Sequence, residues 1–198
     1  RERALKWGGN AKGLPGQKVL RVYCSNEVHT SVDRAIWIAG IGQANLVRIP
    51  TQGPLRSMDT QALDAAIQAD IEAGYLPAGV IACTGGTGTG ACDDISATIA
   101  VAKKSDLYTH VDAAWAGAAM ICPEYRDLWT GVEEADSIVF NPHKWLGTQF
   151  DLSAHFVKSP EDLTRTLAIQ PEYLKTHGPD GIINYSAWLV PLVRRFRA

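Results

Sequence analysis

Paired cysteines, a basic surface and long apolar runs are what this chain of 198 residues does without. Its four cysteines, at positions 24, 83, 92 and 122, form no C-x-x-C pair. That points away from a zinc knuckle or a disulfide scaffold and makes a reducing, cytoplasmic setting the expectation. Lys and Arg number 19 against 21 Asp and Glu, a formal net charge of -2, and no basic block occurs beyond Arg194-Arg195-Phe196-Arg197. Nucleic acid is therefore not expected as a partner, because phosphate binding needs a clustered positive face. No apolar run approaches the roughly 18 residues that cross a bilayer, and no leader pattern opens the chain, so no membrane partner is expected. Internal repeats and low-complexity segments are also lacking.

What is present describes a globular protein. Hydrophobic residues make up 46% and charged residues 20%, and the length suffices for one full core. Six apolar, β-rich runs read as strands: Val19 to Tyr23, Leu46 to Ile49, Val80 to Cys83, Leu107 to Val111, Ile138 to Phe140 and Ala154 to Val157. Segments of helical period lie between most of them: Thr30 to Ala39, Thr60 to Ala73, Ile95 to Lys104, Pro123 to Trp129 and Glu161 to Leu167. Asp59 and Gly74 bracket the second as cap and stop, and two lysines end the third in accord with the helix dipole. Strands alternating with helices imply an α/β fold with a mostly parallel sheet flanked by helices. Arg1 to Trp7 reads as a helix already running, and Pro191 to Phe196 begins an amphipathic pattern and stops. The expectation is a piece of a longer protein. Gln170 to Tyr185, rich in Pro and Gly, reads as a long mobile loop.

In open α/β sheets, ligands bind beyond the carboxyl ends of the strands. Three polar features stand at such ends: Thr84-Gly85-Gly86-Thr87-Gly88-Thr89-Gly90, then Asp112, then Lys144 in Asn141-Pro142-His143-Lys144-Trp145. A lysine held in a dry pocket has a lowered pKa and becomes a nucleophile for carbonyl carbon. The alternative is a lysine that merely opens a surface helix. Asp112 has its own alternative as a helix cap, although Ala113, Ala114, Ala116 and Gly117 leave space for a flat ligand. Gly86 to Ala91 also matches G-x-G-x-x-A after a strand, which raises an NAD-dependent oxidoreductase as a competing reading. Against it, Asp93 and Asp94 stand where a pyrophosphate would sit, and the acid at 112 comes later than the usual ~20 residues. No G-K-[ST] follows, so a P-loop is excluded.

Four motifs carry a resemblance: Glu27-Val28-His29-Thr30-Ser31-Val32, His110-Val111-Asp112-Ala113-Ala114-Trp115-Ala116-Gly117, Ile121-Cys122-Pro123-Glu124-Tyr125-Arg126, and Asn141-Pro142-His143-Lys144-Trp145-Leu146. In this order the chain resembles the pyridoxal-phosphate-dependent group II decarboxylases, most of all the aromatic-L-amino-acid decarboxylases, from about Val19 to Arg197. The resemblance implies the large domain of fold-type I pyridoxal-phosphate enzymes. Residues 1–169 would be its central part, 170–185 the mobile catalytic loop, and 186–198 the start of a segment leading to a C-terminal domain. It implies pyridoxal 5'-phosphate as cofactor and decarboxylation of an aromatic L-amino acid to the amine and CO2. By position, Lys144 is similar to the lysine that holds the cofactor as an aldimine. Asp112 matches the carboxylate on the pyridine nitrogen, and His29 the imidazole stacked on the ring. Thr87, Ala114, Asn141 and His143 match positions touching ring or phosphate. Tyr173 matches the loop tyrosine proposed to protonate the substrate's α-carbon. A homodimer and a small amino-acid substrate are likewise implied. Three other outcomes stay open: aldehyde-forming oxidative decarboxylation, a glutamate-type decarboxylase, and an inactive fragment. Tyr173 and His29 favour simple decarboxylation over the first, and the motifs at 122–126 and 143–145 resemble the aromatic branch more than the second.

Overall fold

The computed structural model describes residues 1–169 and 185–190. The chain divides into two compact units, Arg1–Lys158 and Ser159–Ala198. In the first, the strands are β1 (Leu20–Ser25), β2 (Leu46–Ile49), β3 (Thr51–Gln52), β4 (Ser57–Met58), β5 (Leu76–Cys83), β6 (Tyr108–Asp112), β7 (Ser137–Phe140) and β8 (Ala154–Val157). Its helices are α1 (Gly9–Lys12), α2 (Ser31–Ile38), α3 (Thr60–Glu72) and α4 (Ile95–Lys104). In the second unit, α5 (Pro160–Leu167) is capped by Ser159, whose hydroxyl accepts the Asp162 N–H at 3.3 Å.

Six strands form one sheet in the order β2-β1-β5-β6-β7-β8, parallel throughout except for β8, which runs antiparallel to β7. The expected mostly parallel sheet is therefore present. A parallel sheet needs both faces covered, and alternation along β1 shows how this is done. Leu20, Val22 and Cys24 pack with Val32 and Ile36 of α2, whereas Tyr23 between them packs with Leu63 and Ile67 of α3 and with Val101 and Ala102 of α4. Leu63 and Ile67 are wholly buried, and each such side chain contributes about 1.5–3 kcal/mol. A third cluster joins Ile95 and Ile99 of α4 to Val111, Ala113 and Trp129.

The caps on the two longest helices follow from their sequences. Asp59 accepts the N–H groups of Gln61 (2.9 Å) and Ala62 (3.1 Å), and Asp94 accepts that of Ala97 (2.9 Å). Gly74 ends the first of them at φ 85°.

Several segments depart from expectation, α1 at Gly9–Lys12 among them. Arg1–Trp7 is a series of turns rather than a running helix. Lys6 and Trp7 both take left-handed backbone (φ 50° and 65°), which turns the chain before α1. Glu2, nearly buried, is held there by Arg1 Nε at 3.0 Å and by the N–H of Asn10 at 3.0 Å. Another departure is the β3–β4 hairpin, whose strands of two residues each are too short for an alternation to register. Pro123–Trp129, read as helical, is a 3-10 helix. Among the described residues no helix is long and apolar enough to cross a membrane.

Candidate active site

Because β1, β5, β6 and β7 run parallel, their carboxyl ends emerge at one edge of the sheet. The segments leaving those four ends line one cavity of about 160 Å³. His29 comes from the loop after β1, Gly85, Gly86 and Thr87 from the turn after β5, Asp112 and Ala114 from the end of β6, and Asn141 and Lys144 from beyond β7. Residues 115 positions apart in sequence are thus brought to a common wall by the strand order alone.

Register sets Asp112. It pairs with Cys83 on one side and Val139 on the other, its carbonyl accepts the Thr84 N–H (3.0 Å), and its carboxylate accepts the Ala114 N–H (3.1 Å). The segments after β6 and β7 are then zipped together. Ala113 N donates to Val139 O at 3.0 Å and Asn141 N to Ala114 O at 3.2 Å. Lys144 N donates to Asn141 O at 2.9 Å, so the turn that presents the lysine is tied to the segment that presents the carboxylate. Ser153 Oγ donates to Asn141 Oδ1 at 2.6 Å.

His29 is held by the start of α2. The Ser31 N–H donates to His29 Nδ1 at 3.1 Å and Ser31 Oγ lies 3.0 Å away. Accepting at Nδ1 leaves the proton of the neutral imidazole on Nε2. Among the described candidates only His143 does not line the cavity. Its Nδ1 lies 3.0 Å from Leu152 N and 2.6 Å from Leu152 O, and its ring meets Phe150 edge-on at 4.6 Å. Tyr173 lies outside the described residues.

Sequence reasoning passed over three lining residues: Ser31, Cys83 and Trp115. Cys83 is legible only as the last residue of its strand. Burial pushes its thiol well above the ordinary range, and the negative charge of Asp112 adds to this. The thiol therefore stays protonated and does not compete with the lysine amine for an electrophile. Trp115 meets Trp145 edge-to-face at 4.8 Å and 79°, a favourable aromatic geometry beside the lysine.

Glycine is required in the turn after β5. A Cβ on Gly85 would stand 2.2 Å from Ala116 Cβ, and the residue has φ 77°; a Cβ on Gly86 would meet Glu27 O at 3.0 Å. Both glycines line the cavity, so main chain forms part of its wall.

Residues 10–198 match the pyridoxal-dependent decarboxylase conserved domain. The chain belongs to the pyridoxal-dependent decarboxylase family. It is 44% identical over 192 residues to the aromatic-L-amino-acid decarboxylase of Sus scrofa, covering 96% of this chain and 38% of that protein. It is 42% identical to L-tyrosine/L-DOPA decarboxylase 2 of Lophophora williamsii, covering 90% of this chain and 35% of that one. The crystal structure of Oryza sativa TDC with PLP and tryptamine superposes with a TM-score of 0.90 at 38% identity, covering 98% of this chain and 40% of that one. The chain thus spans a little over a third of the length of those curated relatives.

The donor set fits the family's cofactor. A primary amine suits an aldehyde carbon, a carboxylate suits a protonated pyridine nitrogen, and an imidazole suits a flat ring, and all three line the same cavity. Hydroxyls of Ser31 and Thr87 are the lining groups suited to a phosphate.

Proposed function

We propose that the polypeptide carrying this chain decarboxylates an aromatic L-amino acid to the corresponding amine and CO2 with pyridoxal 5'-phosphate as cofactor. The observation that carries this reading is the convergence of Lys144, Asp112 and His29 on one cavity. When bound, pyridoxal phosphate supplies an electron sink for the pair left behind as CO2 departs. Lys144 is the residue that would hold the cofactor's aldehyde carbon and exchange places with the substrate amine. Asp112 would keep the pyridine nitrogen protonated through its negative charge. His29 would offer its ring to the cofactor's face, while Thr87, Ala114 and Asn141 would bound the ring and phosphate; His143, outside the lining, would instead hold the turn before Lys144 through the Leu152 main chain. Tyr173, in the segment 170–185 assigned to the catalytic loop, would return a proton to the substrate's α-carbon. Residues 1–169 would form the central part of the large domain and 186–198 would lead toward a C-terminal domain. A homodimer in the cytoplasm completes the reading. The unpaired Cys24, Cys83, Cys92 and Cys122 accord with a reducing compartment.

The test uses the full-length polypeptide. Expected results are a visible cofactor absorbance, its fixation on the Lys144 peptide by borohydride, amine product from an aromatic substrate panel, and loss of all three in Lys144→Ala. Aldehyde and peroxide in place of amine, or absorbance that survives Lys144→Ala, would overturn the assignment.

A further inference from the structure

The motif that carries His29 also carries Glu27, and the catalytic scheme gives that carboxylate no task. Its surroundings do. Glu27 Oε2 accepts the Thr89 hydroxyl at 2.8 Å, in the glycine turn after β5. Glu27 Oε1 accepts Arg56 Nε at 2.9 Å and lies 2.7 Å from Arg56 Nη2, in the β3–β4 hairpin. The Glu27 carbonyl is also the atom that a Cβ on Gly86 would strike. Main chain and side chain of one residue therefore both bear on the glycine turn.

The hairpin is itself fastened to the far end of that turn. Cys92 N donates to Leu55 O at 3.0 Å, and Ser57 Oγ donates to Cys92 O at 2.6 Å. Glu27 thus closes a ring of contacts from the His29 loop through Arg56 and the hairpin to Cys92, and directly to Thr89. Inside the ring lies a stretch with glycine at 85, 86, 88 and 90, whose backbone loses more freedom on ordering than any other composition would. Nothing stands within 4 Å of a Cβ placed on Gly88 or Gly90. The turn closes on itself through backbone bonds, Gly85 N and Gly86 N to Ala91 O at 2.8 Å each and Gly90 N to Gly86 O at 2.7 Å; side-chain packing at 88 and 90 adds nothing, so the turn's placement against the His29 loop falls to the tethers.

We infer that Glu27 is a positioning residue that fastens the His29 loop to the glycine turn and so sets the place of Thr87 and of the turn's backbone in the cofactor cavity. This rests on the proposed cofactor site. The Thr89 hydroxyl and the Arg56 guanidinium hold the Glu27 carboxyl below its ordinary range, so the tether is charged at neutral pH. A charged acceptor makes the stronger hydrogen bond to Thr89.

The experiment compares full-length protein with its Glu27→Gln, Thr89→Val, Thr89→Ser and Glu27→Gln/Thr89→Val forms. The first readout is titration of each apoprotein with pyridoxal phosphate by visible absorbance. The second is hydrogen–deuterium exchange across residues 84–92 in the apoproteins. Glu27→Gln and Thr89→Val should each weaken cofactor binding about tenfold. Because Glu27→Gln removes the charge from the same tether whose hydroxyl Thr89→Val removes, the double variant should also stand near tenfold rather than near a hundredfold. Thr89→Ser restores the hydroxyl and should bind within about twofold of the parent. Exchange in the 84–92 segment should rise in Thr89→Val and not in Thr89→Ser. Independent, multiplicative losses, or a Thr89→Ser form as weak as Thr89→Val, would overturn the inference. If the parent binds no cofactor, the proposed function fails, and the exchange arm decides the tether alone: unchanged exchange in Thr89→Val sinks it.

Discussion

Replacing Asp93 by asparagine should change the pH dependence of stability more than stability itself. Asp93 is 4% exposed, and its carboxylate accepts the N–H of Met58 at 2.6 Å and of Cys83 at 2.7 Å. It therefore joins β4 to the end of β5, one residue before the glycine turn begins. Burial is the dominant influence on it and carries its pKa from 3.8 to about 6, against the two N–H bonds, with the charge of Glu27 adding slightly. A group whose folded pKa is raised binds its proton more tightly in the folded state. Its contribution is full below about 3.8 and is lost as pH climbs through about 6. The loss is about 3 kcal/mol, at ~1.4 kcal/mol for each unit of pH. Asparagine has no charge to desolvate and does not titrate. It does replace one carboxylate oxygen by an amide NH2 that faces an N–H, which removes a buried hydrogen bond worth about 1–3 kcal/mol. The variant should be the less stable protein near pH 4, and the gap should shrink by about 3 kcal/mol toward pH 7. Urea unfolding of the cofactor-free polypeptide across that range measures it. A gap that stays constant from about pH 4 to about pH 7 would refute the reasoning.

Two further outcomes follow from the same structure. His110, partly buried and 2.7 Å from Ser137 Oγ, meets His155 edge-on at 6.0 Å; burial lowers its pKa to about 4, opposed by Asp112 and aided by His155. Here the unfolded chain binds the proton more tightly, so stability from this group is present above about 6.5 and lost as pH falls toward about 4. His110→Gln should flatten that acid limb by about 3 kcal/mol in the same urea series, and an unchanged limb would count against it. Leu63→Ala empties a fully buried position between α3 and the sheet and should cost about 3 kcal/mol in urea unfolding, whereas a loss under ~1 kcal/mol would mean the site collapses or is not packed as described.

The elements that sequence reading recovered are those whose causes are local. The strand at Ala154–Val157 and the helix at Ile95–Lys104 stand where apolar runs and terminal charges place them. So does the cap at Asp59. Strand ends located Asp112 and Lys144 singly, but their meeting depends on β6 and β7 being parallel neighbours, which motif order suggested and pattern alone does not dictate. What escaped was fixed by partners far along the chain. Asp93 and Asp94 read as one acidic pair at a helix start. In the fold Asp94 caps the helix while Asp93 turns inward to bind main chain at positions 35 and 10 residues away. Adjacent identical residues thus take opposite fates, because only one faces the gap between β4 and β5. Glu27 shows the same principle, since its two partners lie 29 and 62 residues downstream and no local period marks them. A polar side chain that organises a site is read from three-dimensional proximity. Hydrophobic periodicity therefore outlines the sheet well before it reveals the tethers that shape the cavity at its edge.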